Sequence, residues 1–231
     1  TWPGGSNAGT YYQVKLSDYS VKTFTPDSYG FYWAGAVSDG TNVYFGSDNG
    51  LLYWRSIADF DTTGGVLDLT DVASDAGNVR STVMLDDGYL YFTTQGGYLW
   101  CCSYDDGLTV EWHKKLGATS TSTPTKVGDR IYVGYYSGFN AGGVQCVSAD
   151  GSSVKTVVEG DGFPVQSSIV VMGDGTGTDY LYFNTNAQKG VGYCYSYDGT
   201  TGSQVWGTTG DTYALGGMAI DNGYAVFGND Y

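Results

Sequence analysis

The sequence predicts an all-β protein, a β-propeller, on three observations. A phrase of strand character returns along the chain at separations of roughly 40 to 50 residues, the range of propeller blades. The 231 residues include 37 Gly and 22 Tyr but only 4 Pro and 3 Met, which suits many short strands joined by tight turns. No apolar run approaches the ~18 residues of a membrane-spanning helix. A chain of this length can bury a full core, and a single propeller domain over 1–231 is expected.

The repeated phrase reads NVYFGSDNG (42–50), YLYFTTQGG (89–97), RIYVGYYSG (130–138), YLYFNTNAQKG (180–190) and YAVFGNDY (224–231). β-Branched and aromatic residues alternate within it, and Gly, Asp and Asn bound it, as in a strand. Tyr44, Tyr91, Tyr132, Tyr182 and Val226 hold equivalent places.

A second strand follows in LLYWRSIAD (51–59), YLWCCSYDD (98–106), GVQCVSAD (143–150) and GYCYSYDG (192–199). Each ends at Asp or Asp-Gly, where Asp bonds its own backbone and Gly accepts positive φ. TVEW (109–112), KTVV (155–158) and SQVW (203–206) supply a third strand. RSTVMLDDG (80–88), TSTPTKVGD (121–129), QSSIVVMGDG (166–175) and LGGMAIDNG (215–223) supply a fourth. Such four-stranded meanders cannot bury their own faces, and stacking them around an axis does so.

The two ends complement each other. TYYQVKLSDYSVKTF (10–24) reads as strands two and three, YWAGAVSDG (32–40) as strand four, and 223–231 as a lone first strand. Unpaired terminal strands would leave two sticky edges. Pairing the C-terminal strand with the N-terminal segment closes a ring of five blades of four antiparallel strands. The expected blades are 41–88, 89–129, 130–179, 180–222, and a joint blade of 223–231 with 1–40. The alternative is a slice of a longer propeller. The chain opens on Thr1 without a signal peptide, so a processed or excised piece is expected.

The formal net charge is −14, with 10 Lys and Arg in all, which argues against nucleic acid as a partner. An acidic surface keeps an exposed or secreted protein soluble.

With these motifs quoted, a family can be named. VYFGSDNG, a second strand and then SYDGTTGSQVW (196–206) resemble the repeat of the PQQ-like (quinoprotein alcohol dehydrogenase-like) propellers. There a strand ending Gly-Ser-x-Asp-Gly precedes a strand ending Asp-x-x-Thr-Gly, and then a Trp. Asp198, Thr201, Gly202 and Trp206 match closely, and Asp105 and Trp112 in part. The third repeat has Asp150 but Val157 in place of Trp; the first has Thr63-Gly64 but Leu67 or Leu69. The resemblance implies that Trp112 and Trp206 wedge between neighbouring blades, each burial worth on the order of 2–3 kcal/mol. It also implies a choice between quinone-dependent dehydrogenases and a non-catalytic branch. The dehydrogenases are eight-bladed and use a catalytic Asp and a calcium held by carboxylate and amide oxygens. No such constellation is legible here, so the non-catalytic branch is expected.

Four cysteines need an account. Cys101, Cys146 and Cys194 share one repeat position, and equivalent positions in facing sheets lie about 10 Å apart, too far for a disulfide. They are expected to pack as small buried hydrophobes; free thiols suit a cytosol or an anaerobic habitat. Cys101-Cys102 echoes the adjacent-cysteine disulfide of quinone-dependent alcohol dehydrogenases, but inside a strand their side chains point to opposite faces. His113, the only histidine, reads as a solvated surface residue. GDGTGTD (173–179) has oxygen-rich character suited to calcium, but lacks the EF-hand spacing and reads as a turn. DLTDVASDAG (68–77) reads as an inserted surface loop. Sugar rings could be met by Trp2, Tyr29, Phe31, Tyr32 and Trp33, or by Tyr135, Tyr136 and Phe139.

The functional expectation is a non-enzymatic binding or display module of a larger cell-surface or secreted prokaryotic protein. It would meet a protein or glycan partner through loops on one face or at the axial mouth, with adhesion among its roles. No cofactor, metal or catalytic residue is expected, nor membrane insertion; within the larger chain the domain would be monomeric. The alternatives are a fragment of a quinone-dependent dehydrogenase and an intracellular, cytoplasmic assembly scaffold.

Overall fold

The computed structural model describes residues 8–105, 107–187, 190–210 and 213–229. They form an all-β protein with no α-helix among the described residues. Four four-stranded antiparallel sheets follow one another along the chain. The first comprises β3 (Ala36–Ser38), β4 (Asn42–Ser47), β5 (Leu51–Ser56) and β6 (Gly64–Asp68). The second comprises β7 (Met84–Asp86), β8 (Tyr89–Thr94), β9 (Tyr98–Ser103) and β10 (Thr109–Lys115). The third runs through β11 (Thr125–Val127), β12 (Arg130–Ser137), β13 (Ala141–Ser148) and β14 (Val154–Asp161). The fourth runs through β15 (Val170–Met172), β16 (Asp179–Asn184), β17 (Gly190–Tyr197) and β18 (Gly202–Thr209).

The sheet boundaries fall one strand earlier than the partition at 41–88, 89–129, 130–179 and 180–222. The short strand expected to end each unit instead opens the next sheet. Turn chemistry explains why. Asp87 and Gly88 both take positive φ, 45° and 83°, the geometry of a tight primed hairpin turn. That turn ties β7 to β8, while a long crossing connection separates β7 from β6.

The terminal segments form two further two-stranded sheets, β1 (Tyr11–Val14) with β2 (Val21–Phe24), and β19 (Ala219–Asp221) with β20 (Tyr224–Val226). They stand where a joint blade of 223–231 with 1–40 is expected, but Ala219–Asp221 belongs to the C-terminal half and Ala36–Ser38 to the first sheet. No ladder joins β1-β2 to β19-β20 among the described residues; Trp2, Asp230 and Tyr231 lie outside those residues. β1-β2 covers the first sheet, with Tyr11 stacked on Phe45 at 3.9 Å. β19-β20 stands beside the fourth, where Phe227 abuts Gly192.

The middle strands of each sheet are buried almost continuously rather than alternately, as β8 and β9 illustrate. A sheet covered on both faces has no solvent side to alternate with. Cys101 and Cys102 make this concrete. Adjacent in β9, they enter different cores: Cys102 joins Tyr44, Leu52 and Leu90 toward the first sheet, and Cys101 joins Ile131, Val133 and Val147 toward the third. All four cysteines are free and buried. Each of three faces a tyrosine across the ladder, as Tyr91–Cys101, Tyr132–Cys146 and Tyr182–Cys194.

Trp112 packs against the next sheet at Gly151, and Val157 fills the same place in the third repeat, buried with Leu181 and Tyr197. Two further sequence readings need correction. His113 is half-buried, stacked on Trp100 at 4.8 Å, because it faces that indole across the β10–β9 ladder. The loop 68–77 is only partly a surface loop: Leu69 and Ala76 are wholly buried in the core between the first two sheets.

Candidate functional site

Five inner strands, β3, β7, β11, β15 and β19, begin from connections that converge on one cavity. The ladder register makes their residues comparable: Val37, Met84, Thr125, Val170 and Ala219 each pair with the repeat's Tyr or its Val226 equivalent. Four residues before each of these stand Trp33, Arg80, Thr121, Gln166 and Leu215. All five line a cavity of about 430 Å³. One structural position therefore presents an indole, a guanidinium, a hydroxyl, an amide and an isobutyl group to a common space. Loops gathered at a propeller's axis are a usual place for binding chemistry.

Contacts close to these positions join the units around that axis. A Cβ on Gly35 would fall 2.3 Å from Thr82 Oγ1, so the first and second units touch closely. The Thr82 N–H donates to Thr123 Oγ1 at 3.2 Å. Ser122 Oγ donates to the Ser167 carbonyl at 2.7 Å, and Thr125 Oγ1 to the Ile169 carbonyl at 2.7 Å. Asn184 Nδ2 reaches the Gly216 carbonyl at 2.7 Å. Small hydroxyl residues dominate because the inner strands converge and bulky side chains would not fit there.

Arg80 is held in place from two sides. Its Nε and Nη2 meet the two carboxylate oxygens of Asp48 at 2.8 and 3.1 Å, the fork geometry guanidinium favours. Its guanidinium lies 4.7 Å from the Tyr32 ring centroid. Tyr32 also stacks on Trp33, with centroids 4.6 Å apart. Trp33 is 55% exposed and holds a positive φ of 63°. Ser167 is buried, and its Oγ has no hydrogen-bond partner among the described residues.

Of the aromatic candidates, Trp33 reaches the cavity. Phe31 packs beneath β1-β2, Tyr135 is buried, and Phe139 is exposed against Tyr213. The carboxylates of 173–179 face protein donors: Asp174 Oδ1 accepts from Thr176, and Asp179 from Tyr132, Arg130 and Gly175. The sequence reading named the axial mouth without its residues. The signal was present as chemical variety at one fixed repeat position.

The residues present do not fit a quinone–calcium centre. The cavity lining contains hydroxyls, one amide and one guanidinium but no carboxylate. No group of three His, Cys, Asp or Glu that could hold a metal occurs among the described residues. Cys101 and Cys102 lie in the inter-sheet cores, on opposite faces of β9.

No protein-family model matches the sequence, and no curated protein does. Solved structures do. BamB from Moraxella catarrhalis superposes with a TM-score of 0.62 at 14% identity, over 96% of this chain and 62% of that one. Sqt1 from Saccharomyces cerevisiae gives 0.64 at 11% identity, over 94% and 63%. The quinohemoprotein alcohol dehydrogenase ADHIIG from Pseudomonas putida gives 0.59 at 14% identity, over 84% and 38%. The chain thus spans less than two thirds of each of these structures. At such identities the likeness carries the fold alone: the chain has the PQQ-like repeat β-propeller fold.

Proposed function

We propose that the chain is a recognition module without catalytic activity of its own, a rigid propeller that meets a protein or glycan partner through its axial face. The observation that carries this reading is the convergence of Trp33, Arg80, Thr121, Gln166 and Leu215 on one cavity. A scaffold with no ligand would gain nothing from five different chemistries at one repeat position. The fold itself hosts both enzymes and other proteins, so the reading rests on the site. The module belongs to a larger chain displayed at the cell surface, where its net charge of −14 keeps it soluble.

The test places a photo-reactive benzophenone residue at Leu215, on the axial face, or at Val154, on the outer strand β14. Adducts with native partner material are expected from position 215 and not from 154. The dehydrogenase alternative is tested by adding the quinone and calcium: dye-linked oxidation of alcohols or sugars would overturn the reading. Protease accessibility of the domain on intact cells tests the location.

A further inference from the structure

We propose that the axial cavity binds one neutral pyranose ring of a glycan. The inference rests on the axial face being the recognition face, as argued above. A pyranose has an apolar C–H face and a rim of hydroxyls, and the cavity offers a counterpart to each.

The apolar counterpart is Trp33. An indole 55% exposed is unusual unless something covers it. This one is also fixed before any ligand arrives. Its backbone sits at φ 63°, a conformation L-residues adopt at a cost and one found at functional sites. Its ring stacks on Tyr32, which in turn lies 4.7 Å from the Arg80 guanidinium. A platform ordered in advance spares the ligand that ordering entropy. Leu215 adds a second apolar contact on the cavity wall.

The polar counterpart is the arc from the third and fourth units. Thr121, Gln166, Ser167 and Ser168 line the cavity. Ser167 Oγ is buried and unpartnered among the described residues. A hydroxyl left so is unfavourable, and rotation about its χ1 toward the cavity would let a sugar hydroxyl supply its missing partner.

Charge selects a neutral ligand. Arg80 is the charged side chain of the lining, and Asp48 matches it through two hydrogen bonds. An anionic ligand would have to compete with that carboxylate. The volume, about 430 Å³, lies within the size class of small-molecule sites, ~300–1,000 Å³.

The experiment titrates the protein with cellobiose, chitobiose and maltose, followed by intrinsic tryptophan fluorescence and calorimetry. A wider glycan array covers other linkages. At least one saccharide is expected to saturate. Trp33→Ala should weaken it by about tenfold or more, the loss of one stacking face. Ser167→Ala should weaken it several-fold while leaving the thermal midpoint unchanged or raised, since that hydroxyl has no partner to lose. Phe139→Ala, on an exposed loop, should bind like the wild type. Silence across the panel and the array overturns the inference, and so does saccharide binding that survives Trp33→Ala. If sugars are silent while benzophenone at Leu215 captures a protein, the glycan inference falls and the recognition face stands. If both are silent, both fall.

Discussion

Gly151, in the turn between β13 and β14, lies flush against the indole of Trp112 in β10 of the preceding sheet. A Cβ on Gly151 would fall 2.6 Å from Trp112 Cδ2, and the glycine holds φ at +68°. Gly151→Ala therefore meets a strained backbone and a clash at once. A loss of about 2–4 kcal/mol is expected. Trp112→Ala should cost about 2–4 kcal/mol through lost packing. In the double variant the clash is absent, so the two losses should not add. Urea midpoints of the four proteins measure this; an unmoved midpoint for Gly151→Ala would show that the two sheets do not dock there.

The seam between the third and fourth sheets relies on a buried carboxylate. Asp179 is wholly buried and accepts from Tyr132 Oη at 2.6 Å and from Arg130 Nη1 at 2.8 Å. Asp179→Ala strands the Tyr132 hydroxyl and leaves Arg130 with the Gly177 carbonyl in place of its counter-charge, and should cost about 3–5 kcal/mol. Tyr132→Phe removes one donor while Arg130 stays paired, at about 1–2 kcal/mol. The order of the two losses in chemical denaturation checks the assignment, and a larger loss for Tyr132→Phe would refute it.

These contacts also show what a sequence reader can and cannot see. The strand phrases at Tyr44, Tyr91, Tyr132 and Tyr182 were legible because aromatic and β-branched residues between turn residues admit few other structures. The docking role of Trp112 followed from the resemblance to the PQQ-like repeat. The sheet boundaries were misplaced because the eye follows the conspicuous phrase, whereas Asp87-Gly88 and Asn222-Gly223 carry the positive φ that ties the weaker strand to the next unit. The half-buried state of His113 was hidden because its cover, Trp100, comes from the neighbouring strand. The axial cavity was hidden for a similar reason. Trp33, Arg80, Thr121, Gln166 and Leu215 share no chemistry, and only the register across five units reveals that they share a place.

Acid should weaken the fold through its turn aspartates. Ser148 Oγ first, and then the Ser152 N–H, hold the Asp150 carboxyl down to about 2. The Thr201 and Thr200 N–H groups lower Asp198 in the same way. Thr176, by side chain and backbone, lowers Asp174. A carboxylate whose folded pKa lies below its unfolded value stabilises fully above the unfolded value, and loses that contribution as pH falls through the folded one. Stability should therefore decline between about pH 4 and pH 2. Asp150→Asn keeps a turn-forming acceptor but does not titrate, so its melting temperature should fall less steeply across that window. Parallel curves for the variant and the wild type would show that the turn carboxylate contributes nothing.

The thiols report on which part of the ring opens first. Burial pushes Cys101 and Cys146 up to about 11 and raises Cys102 and Cys194 as well. The thiolate is the reacting species, so at pH 8 the folded protein should give almost no reaction with a disulfide reagent, and all four cysteines should react in denaturant. Protection is not equal, however. Cys101 packs against β12 and β13 of the complete third sheet, and Cys146 against β16 and β17 of the complete fourth. The face of the fourth sheet that carries Tyr182 and Trp206 borders a groove whose other wall is the two-stranded β19-β20, and Cys194 pairs with both residues across the ladder. A two-stranded sheet is marginal by itself and opens more readily than a full one. In low urea Cys194 should thus be labelled ahead of the other three, and mass spectrometry of timed labelling reads the order directly. Labelling of Cys101 or Cys146 first would mean that opening starts between complete sheets, and that β19-β20 is held more firmly than its two strands suggest.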